Sequence, residues 1–137
     1  DVTWEDDLSK EGIGRVGRLP REMTLLECAE YVKGVFHIDA VRMYGGQNSR
    51  VRMAAVCPGS GKSVIDTAIR CGADVLITGD IDHHAGIDAV AQGLAIIDAG
   101  HYGLEKIFVP YMKDVFMRQM PELEVVTAIE REPFVTV

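Results

Sequence analysis

The stretch GADVLITGDIDHH, Gly72 to His84, decides how the rest of the chain is read. Gly72 has the place of a left-handed helix stop, and Asp74 to Thr78 is a short apolar run of the kind that forms a buried strand. The polar loop beyond it, with Asp80, Asp82, His83 and His84, leads into a second helical pattern. The same alternation extends in both directions. Upstream, a helix from about Lys62 to Cys71 turns Val64, Ile65, Ala68 and Ile69 inward, preceded by a Val- and Ala-rich strand from Val51 to Cys57. Downstream, His83 to Gln92 is a helix with Ile87, Val90 and Ala91 available for burial; Gly93 ends it, and Leu94 to Ala99 is a further strand. Strands alternating with helices over short links predict an α/β fold, a sheet covered by helices.

Further out, Gly12 to Leu19 (GIGRVGRL) reads as a short strand or extended arm before Pro20. Thr24 and Glu27 have the spacing of a capping box, and Leu25, Ala29, Val32 and Phe36 recur on one helical face. Asp39 to Tyr44 is a strand and Gly45 to Ser49 a turn, so that this strand and Val51 to Cys57 are expected as a hairpin or as neighbours. A long amphipathic segment from about Leu104 to Met120 carries Phe108, Tyr111, Met112, Val115 and Phe116, and Leu123 to Ile129 is expected to close the domain as a strand. The methionines and aromatics of this segment suit a core or a subunit contact better than a cofactor box.

A chain of 137 residues with 47% hydrophobic content suits one compact domain with a real core. Fourteen basic residues against 21 acidic ones leave a net charge of −7, which opposes nonspecific attachment to nucleic acid while allowing a locally basic ring. No apolar run approaches a membrane span, and the acidic opening does not resemble a secretory signal, so a cytoplasmic protein without a membrane partner is expected. Cys28, Cys57 and Cys71 are odd in number and form no C-x-x-C pair; they read as reduced, buried small residues.

His101 and Glu105 follow the apolar run Leu94 to Ala99, where an open α/β sheet places its ligands. At i, i+4 on a helix they lie on one face and can offer an imidazole nitrogen and a carboxylate oxygen to a cation. Taken alone, the pair equally fits a solvated helix face, and Pro110 allows a later helix start that leaves Glu105 in a loop. Cys57 to Ser63 (CPGSGKS) looks like a phosphate-binding loop but has Val56 where the motif needs its first glycine, which excludes an ATPase and leaves a tight strand-to-helix turn or a weak anion cradle. Asp80 or Asp82 can cap the next helix, and His84 is assigned a substrate or ligand-supporting role. His37 reads as structural.

Together GIGRVGRL at 12–19, GADVLITGDIDHH at 72–84, DAGHYGLEK at 98–106 and EPFVTV at 132–137 resemble the C-terminal half of the NIF-three-like dinuclear metal-centre family, the GTP cyclohydrolase type two homologues. The resemblance implies a mixed sheet flanked by helices, one of two related α/β halves, with a metal cleft between them and assembly into a hexameric toroid. It makes His101 and Glu105 metal ligands, and places the other ligands, a histidine pair and an aspartate, in an N-terminal half that this sequence does not contain. His83 and His84 match a different block and are not that pair. Residues 1–11 look like the tail of an insertion or linker found in longer members, with the metal-ligand domain at 12–137.

Two divalent cations (Zn, Mn, Fe or Co) are implied for the complete protein, with weak or absent occupancy in this fragment. The activity implied is metal-dependent hydrolysis of a nucleotide-like molecule such as GTP, with the fragment inactive alone. The alternatives are a noncatalytic oligomeric scaffold or regulator that binds protein or nucleic-acid partners, and an assembly domain without activity.

Overall fold

The structure is a computed structural model and describes residues 2–4, 12–129, 131, 132 and 134. The chain divides into two compact units, Asp1–Leu104 and Glu105–Val137. The first contains a six-stranded sheet made of β1 (Val2–Trp4), β2 (Gly14–Thr24), β3 (Arg42–Tyr44), β4 (Arg50–Ser60), β5 (Val75–Gly79) and β6 (Ala95–Asp98), in the spatial order β1-β2-β4-β5-β6-β3. Strands β4, β5 and β6 run parallel, while β2 pairs antiparallel with β4 and β3 antiparallel with β6. The sheet is therefore mixed, as the resemblance implied.

Successive residues of a strand point to opposite faces, and the two cores follow that alternation. On one face Val16, Ala55, Leu76 and Ile96 pack with Val64, Ile65 and Ala68 around helix α2 (Ile65–Arg70) and with Ala85 and Ala89 of α3 (His83–Ala91). On the other, Ala54, Val75, Ile77 and Ile97 pack with Leu25, Cys28, Ala29 and Val32 of α1 (Leu25–Phe36). Covered on both sides, β5 is buried at every position.

Local signals placed several elements correctly. Thr24 closes a reciprocal capping box, with the Glu27 N–H donating to Thr24 Oγ1 at 3.1 Å and the Thr24 N–H to Glu27 Oε2 at 2.7 Å. Gly72 and Gly93 adopt left-handed conformations just beyond the helices they end. His37 caps α1 in the same conformation, its N–H bonding back to the Lys33 carbonyl, a structural role. Cys28 and Cys57 are buried free thiols and Cys71 is half-buried; burial pushes the Cys28 thiol up to about 11.

Other expectations need correction. The expected partnership of β3 with β4 is absent, because β5 and β6 lie between them in the sheet and β3 takes the outer edge of β6. Strand β2 does not stop at Pro20 but continues to Thr24, with the register against β4 shifting between Arg18 and Met23, so that proline falls where regular pairing is interrupted. In α3 the inward face is Ala85, Gly86 and Ala89, whereas Ile87, Val90 and Ala91 are exposed. The cause is the closeness of the Tyr44 ring, whose Cδ1 and Cε1 a β-carbon on Gly86 would overlap.

In the second unit, α5 (Phe108–Gln119) is the principal element, and residues 123–129 are irregular rather than a strand. Val126 and Ile129 are 81% and 88% exposed, and β-branched residues make a strand only where a pleated surface and a pairing edge receive them. Residues 5–11 and most of the EPFVTV segment lie outside the described residues. Among the described residues, no helix is long and apolar enough to cross a membrane.

The close approach of α3 to Tyr44 can be tested with Gly86→Ala. Helix propensity alone favours alanine by about 1 kcal/mol, whereas forcing a methyl group into a packed contact costs roughly 1–3 kcal/mol. Tyr44 is also held by its hydroxyl, which donates to the Ile81 carbonyl at 3.2 Å. The expected outcome is a net loss of stability in urea unfolding; a gain would show that the ring moves aside freely.

Candidate functional site

Because β4, β5 and β6 are parallel, their carboxyl ends bring three connections to one end of the sheet. Asp98, the last residue of β6, lies at their centre and is only 3% exposed. Its Oδ1 accepts the N–H groups of Asp80 at 3.2 Å and Gly100 at 3.0 Å. Its Oδ2 accepts the Ile81 N–H at 3.1 Å and Arg42 Nη2 at 2.6 Å. A buried carboxylate persists only when its charge is met by donors, and here each oxygen has two. An asparagine of the same shape would have to turn its NH2 toward one of those donor pairs.

Asp80, held through its N–H, has a left-handed backbone (φ 55°). Its carboxylate Oδ2 lies 2.9 Å from His101 Nδ1. His101 opens the short helix α4 (His101–Glu105) directly after the Ala99-Gly100 turn. The two loops also meet through their backbones: a β-carbon on Gly79 would lie 2.6 Å from the His101 nitrogen and 2.7 Å from the Gly100 carbonyl carbon. Only glycine permits that approach.

A second cluster lies beside the first. Asp82 caps α3 by accepting the Ala85 N–H at 3.0 Å and also pairs with Lys62 Nζ at 2.7 Å. The Lys62 hydrogen bond is the main cause, and the bond from Ala85 the next, that hold the Asp82 carboxyl down from its ordinary 3.8 to about 2. His83 and His84 follow in the first turn of α3, both exposed, with ring centroids 5.6 Å apart and planes at 73°. The glycine-rich turn before Lys62 is tight for steric reasons, since a β-carbon on Gly61 would overlap the buried Thr78 side chain. Thr78 Oγ1 in turn donates to the Gly59 carbonyl at 3.2 Å.

The residues singled out in the sequence thus fall at identifiable places. His101 begins α4 and Glu105 ends it; the boundary between the two compact units falls after Leu104, so His101 belongs to the first and Glu105 to the second. Pro110 stands in the first turn of α5, where its missing N–H is tolerated, and Glu105 is not left in a loop. Of the acidic loop, Asp82 is the cap and Asp80 the partner of His101. Asp98 and Arg42 were not foreseen, since an acid closing an apolar run is an ordinary strand end and Arg42 is 56 positions away. Among the described residues, no group of three or more His, Cys, Asp and Glu side chains is gathered so as to hold a metal ion.

A sequence model of the Duf34/NIF3 family (NGG1p interacting factor 3) matches residues 3–133. The chain belongs to this family. It is 37% identical to the GTP cyclohydrolase 1 type 2 homolog of Listeria monocytogenes over 137 aligned residues, covering 96% of this chain and 36% of that protein. Its identity to the protein of the same name in Bacillus subtilis is 42%, over 87% of this chain and 31% of the relative. A crystal structure of a Bacillus cereus protein related to NIF3 superposes with a TM-score of 0.78 at 32% identity, covering 92% of this chain and 36% of that one. Staphylococcus aureus protein SA1388 superposes with a TM-score of 0.79 at 30% identity, covering 92% and 42%. This NIF3-family chain therefore spans about a third of the length of the curated relatives it matches.

The Lys62–Asp82 pair gives the family chain a testable acid response. The folded pKa of Asp82 lies below its unfolded value, so the pair stabilises the fold above the ordinary carboxylate range. That contribution disappears as the pH falls from about 3.8 to about 2. In Lys62→Met the Asp82 titration, followed by carboxyl carbon NMR, is expected to move up toward the ordinary value. An unchanged titration would mean that the Ala85 cap alone holds the charge.

Proposed function

We propose that this chain is the metal-ligand-bearing C-terminal part of a cytoplasmic, dinuclear-metal hydrolase-like protein, and that His101 and Glu105 are its ligands. The observation that carries the reading is the Asp80 carboxylate on His101 Nδ1. A metal-binding histidine commonly gives its other ring N–H to a carboxylate, which fixes the tautomer and makes the remaining nitrogen more basic. In this reading Nε2 is the ligating atom. The position of His101 beyond the carboxyl end of β6 supports the same conclusion, and the names of the relatives support only the hydrolase-like part of the reading.

The donor chemistry fits a divalent cation but is incomplete within this chain. One imidazole and one carboxylate suit Zn, Mn, Fe or Co alike, and catalytic sites ordinarily use at least three protein ligands. The remaining ligands, a histidine pair and an aspartate, are assigned to the N-terminal half of the longer protein, which assembles as a hexamer. Two bound cations would supply Lewis acidity and a source of hydroxide near neutral pH. His101 and Glu105 act as ligands, not as acid or nucleophile, and His84 contacts a nucleotide-like substrate such as GTP. The isolated chain is inactive and holds metal weakly.

The test is turnover of GTP by the full-length protein with Zn, Mn or Fe. Glu105→Ala is expected to reduce it by about 100-fold or more, since even the outer partners of metal ligands are worth roughly 10–100-fold. Metal-dependent turnover that survives Glu105→Ala would remove it from the ligand set, and stoichiometric, tightly held metal in the 137-residue chain would overturn the shared site. A second reading, an oligomeric scaffold or regulator binding protein or nucleic-acid partners, draws on the family description as an interacting factor. It requires partner binding to survive His101→Ala in an assembled ring.

A further inference from the structure

We infer that Asp80 is the positioning residue of His101 and that Asp98 holds Asp80 in the conformation this requires. The inference deepens the reading of His101 as a ligand and adds two residues to it. It starts from a backbone oddity: Asp80 has φ 55°, in a region where glycine is the default residue and a side chain carries a steric cost. Strain of this kind persists where surrounding contacts over-determine it, and it concentrates at functional positions. Here the contacts are visible. The Asp80 N–H and the following Ile81 N–H both donate to the buried Asp98 carboxylate, one to each oxygen.

The same carboxylate holds the other loop. Asp98 Oδ1 accepts the Gly100 N–H, immediately before His101, so one oxygen binds the backbone carrying the imidazole and the backbone carrying its partner. Gly79 removes the last obstacle by letting the two backbones approach. The Asp80 and His101 side chains are themselves more than half exposed, but the backbones that carry them are both held by one rigid buried group. If the left-handed turn were the only requirement at position 80, glycine would meet it at lower cost; the carboxylate is what aspartate adds.

The tautomer of His101 in the metal-free 137-residue chain tests this, read from the ring nitrogen shifts at alkaline pH. The native ring is expected to be almost entirely the Nδ1–H form. Asp80→Gly suits the backbone, so the melting temperature should hold or rise while the ring passes to a mixture dominated by Nε2–H. Asp80→Asn, which keeps a carbonyl acceptor and tolerates the left-handed region, should restore Nδ1–H. An unchanged tautomer in Asp80→Gly overturns the role of Asp80. For Asp98, Asp98→Asn should release the Nδ1–H preference, and retention of that preference overturns its part. If that variant does not fold, amide exchange in the native chain decides: the Asp80, Ile81 and Gly100 N–H groups should open together, and independent opening overturns it. Since no cation enters these measurements, their failure is distinct from failure of the ligand reading, which rests on the Glu105→Ala assay.

Discussion

The carboxylate of Asp98 is the constraint on which the sheet end depends. Withdrawing a charged group from water costs several kcal/mol even after relaxation, and hydrogen bonds involving a charged group return roughly 1.5–3 kcal/mol each. Three backbone N–H groups and the Arg42 guanidinium are directed at it. The geometric consequence matters more than the energetic sum. Groups on β3, on the β5–α3 loop and on the turn after β6 must take fixed positions relative to one buried point, so the residues they carry are fixed as well.

Packing around that point leaves little slack. Gly61 lies against Thr78, Gly79 against the Gly100–His101 backbone and Gly86 against Tyr44, each at a distance that a single β-carbon would violate. These are positions where a glycine lets one layer approach another more closely than any other residue allows. The result is a strand-end surface built on stiff elements, the arrangement by which active sites hold functional groups within a fraction of an ångström. His101 and the Lys62–Asp82 pair both stand on it.

Much of this was legible in the residues themselves. The capping box at Thr24, the glycine stops at Gly72 and Gly93, and the buried run to Thr78 are local signals with local causes. The prospect that His101 and Glu105 share a helix was also legible, as spacing. What stayed hidden depends on tertiary pairing: the placement of β3 beside β6, the inward face of α3, and the irregular course of residues 123–129. Periodicity marked Ile87 and Val90 as apolar but could not show that Tyr44 would demand the small face instead. Asp80 was visible in the loop as one of two possible caps; its role beside His101 depends on Asp98, 18 positions further along.

The location of β3 also bears on the order in which the molecule can be assembled. Its only strand partner among the described residues is β6, with Arg42 opposite Asp98 and Tyr44 opposite Ile96. A nascent chain cannot seat residues 42–44 when they emerge; they must wait until more than fifty further residues have been made and threaded into the parallel layer. Contacts this distant in sequence form slowly, because the intervening loop must first be closed. The contact between Arg42 and the buried acid thus spans 56 positions, and until it forms Asp98 lacks one of its four donors.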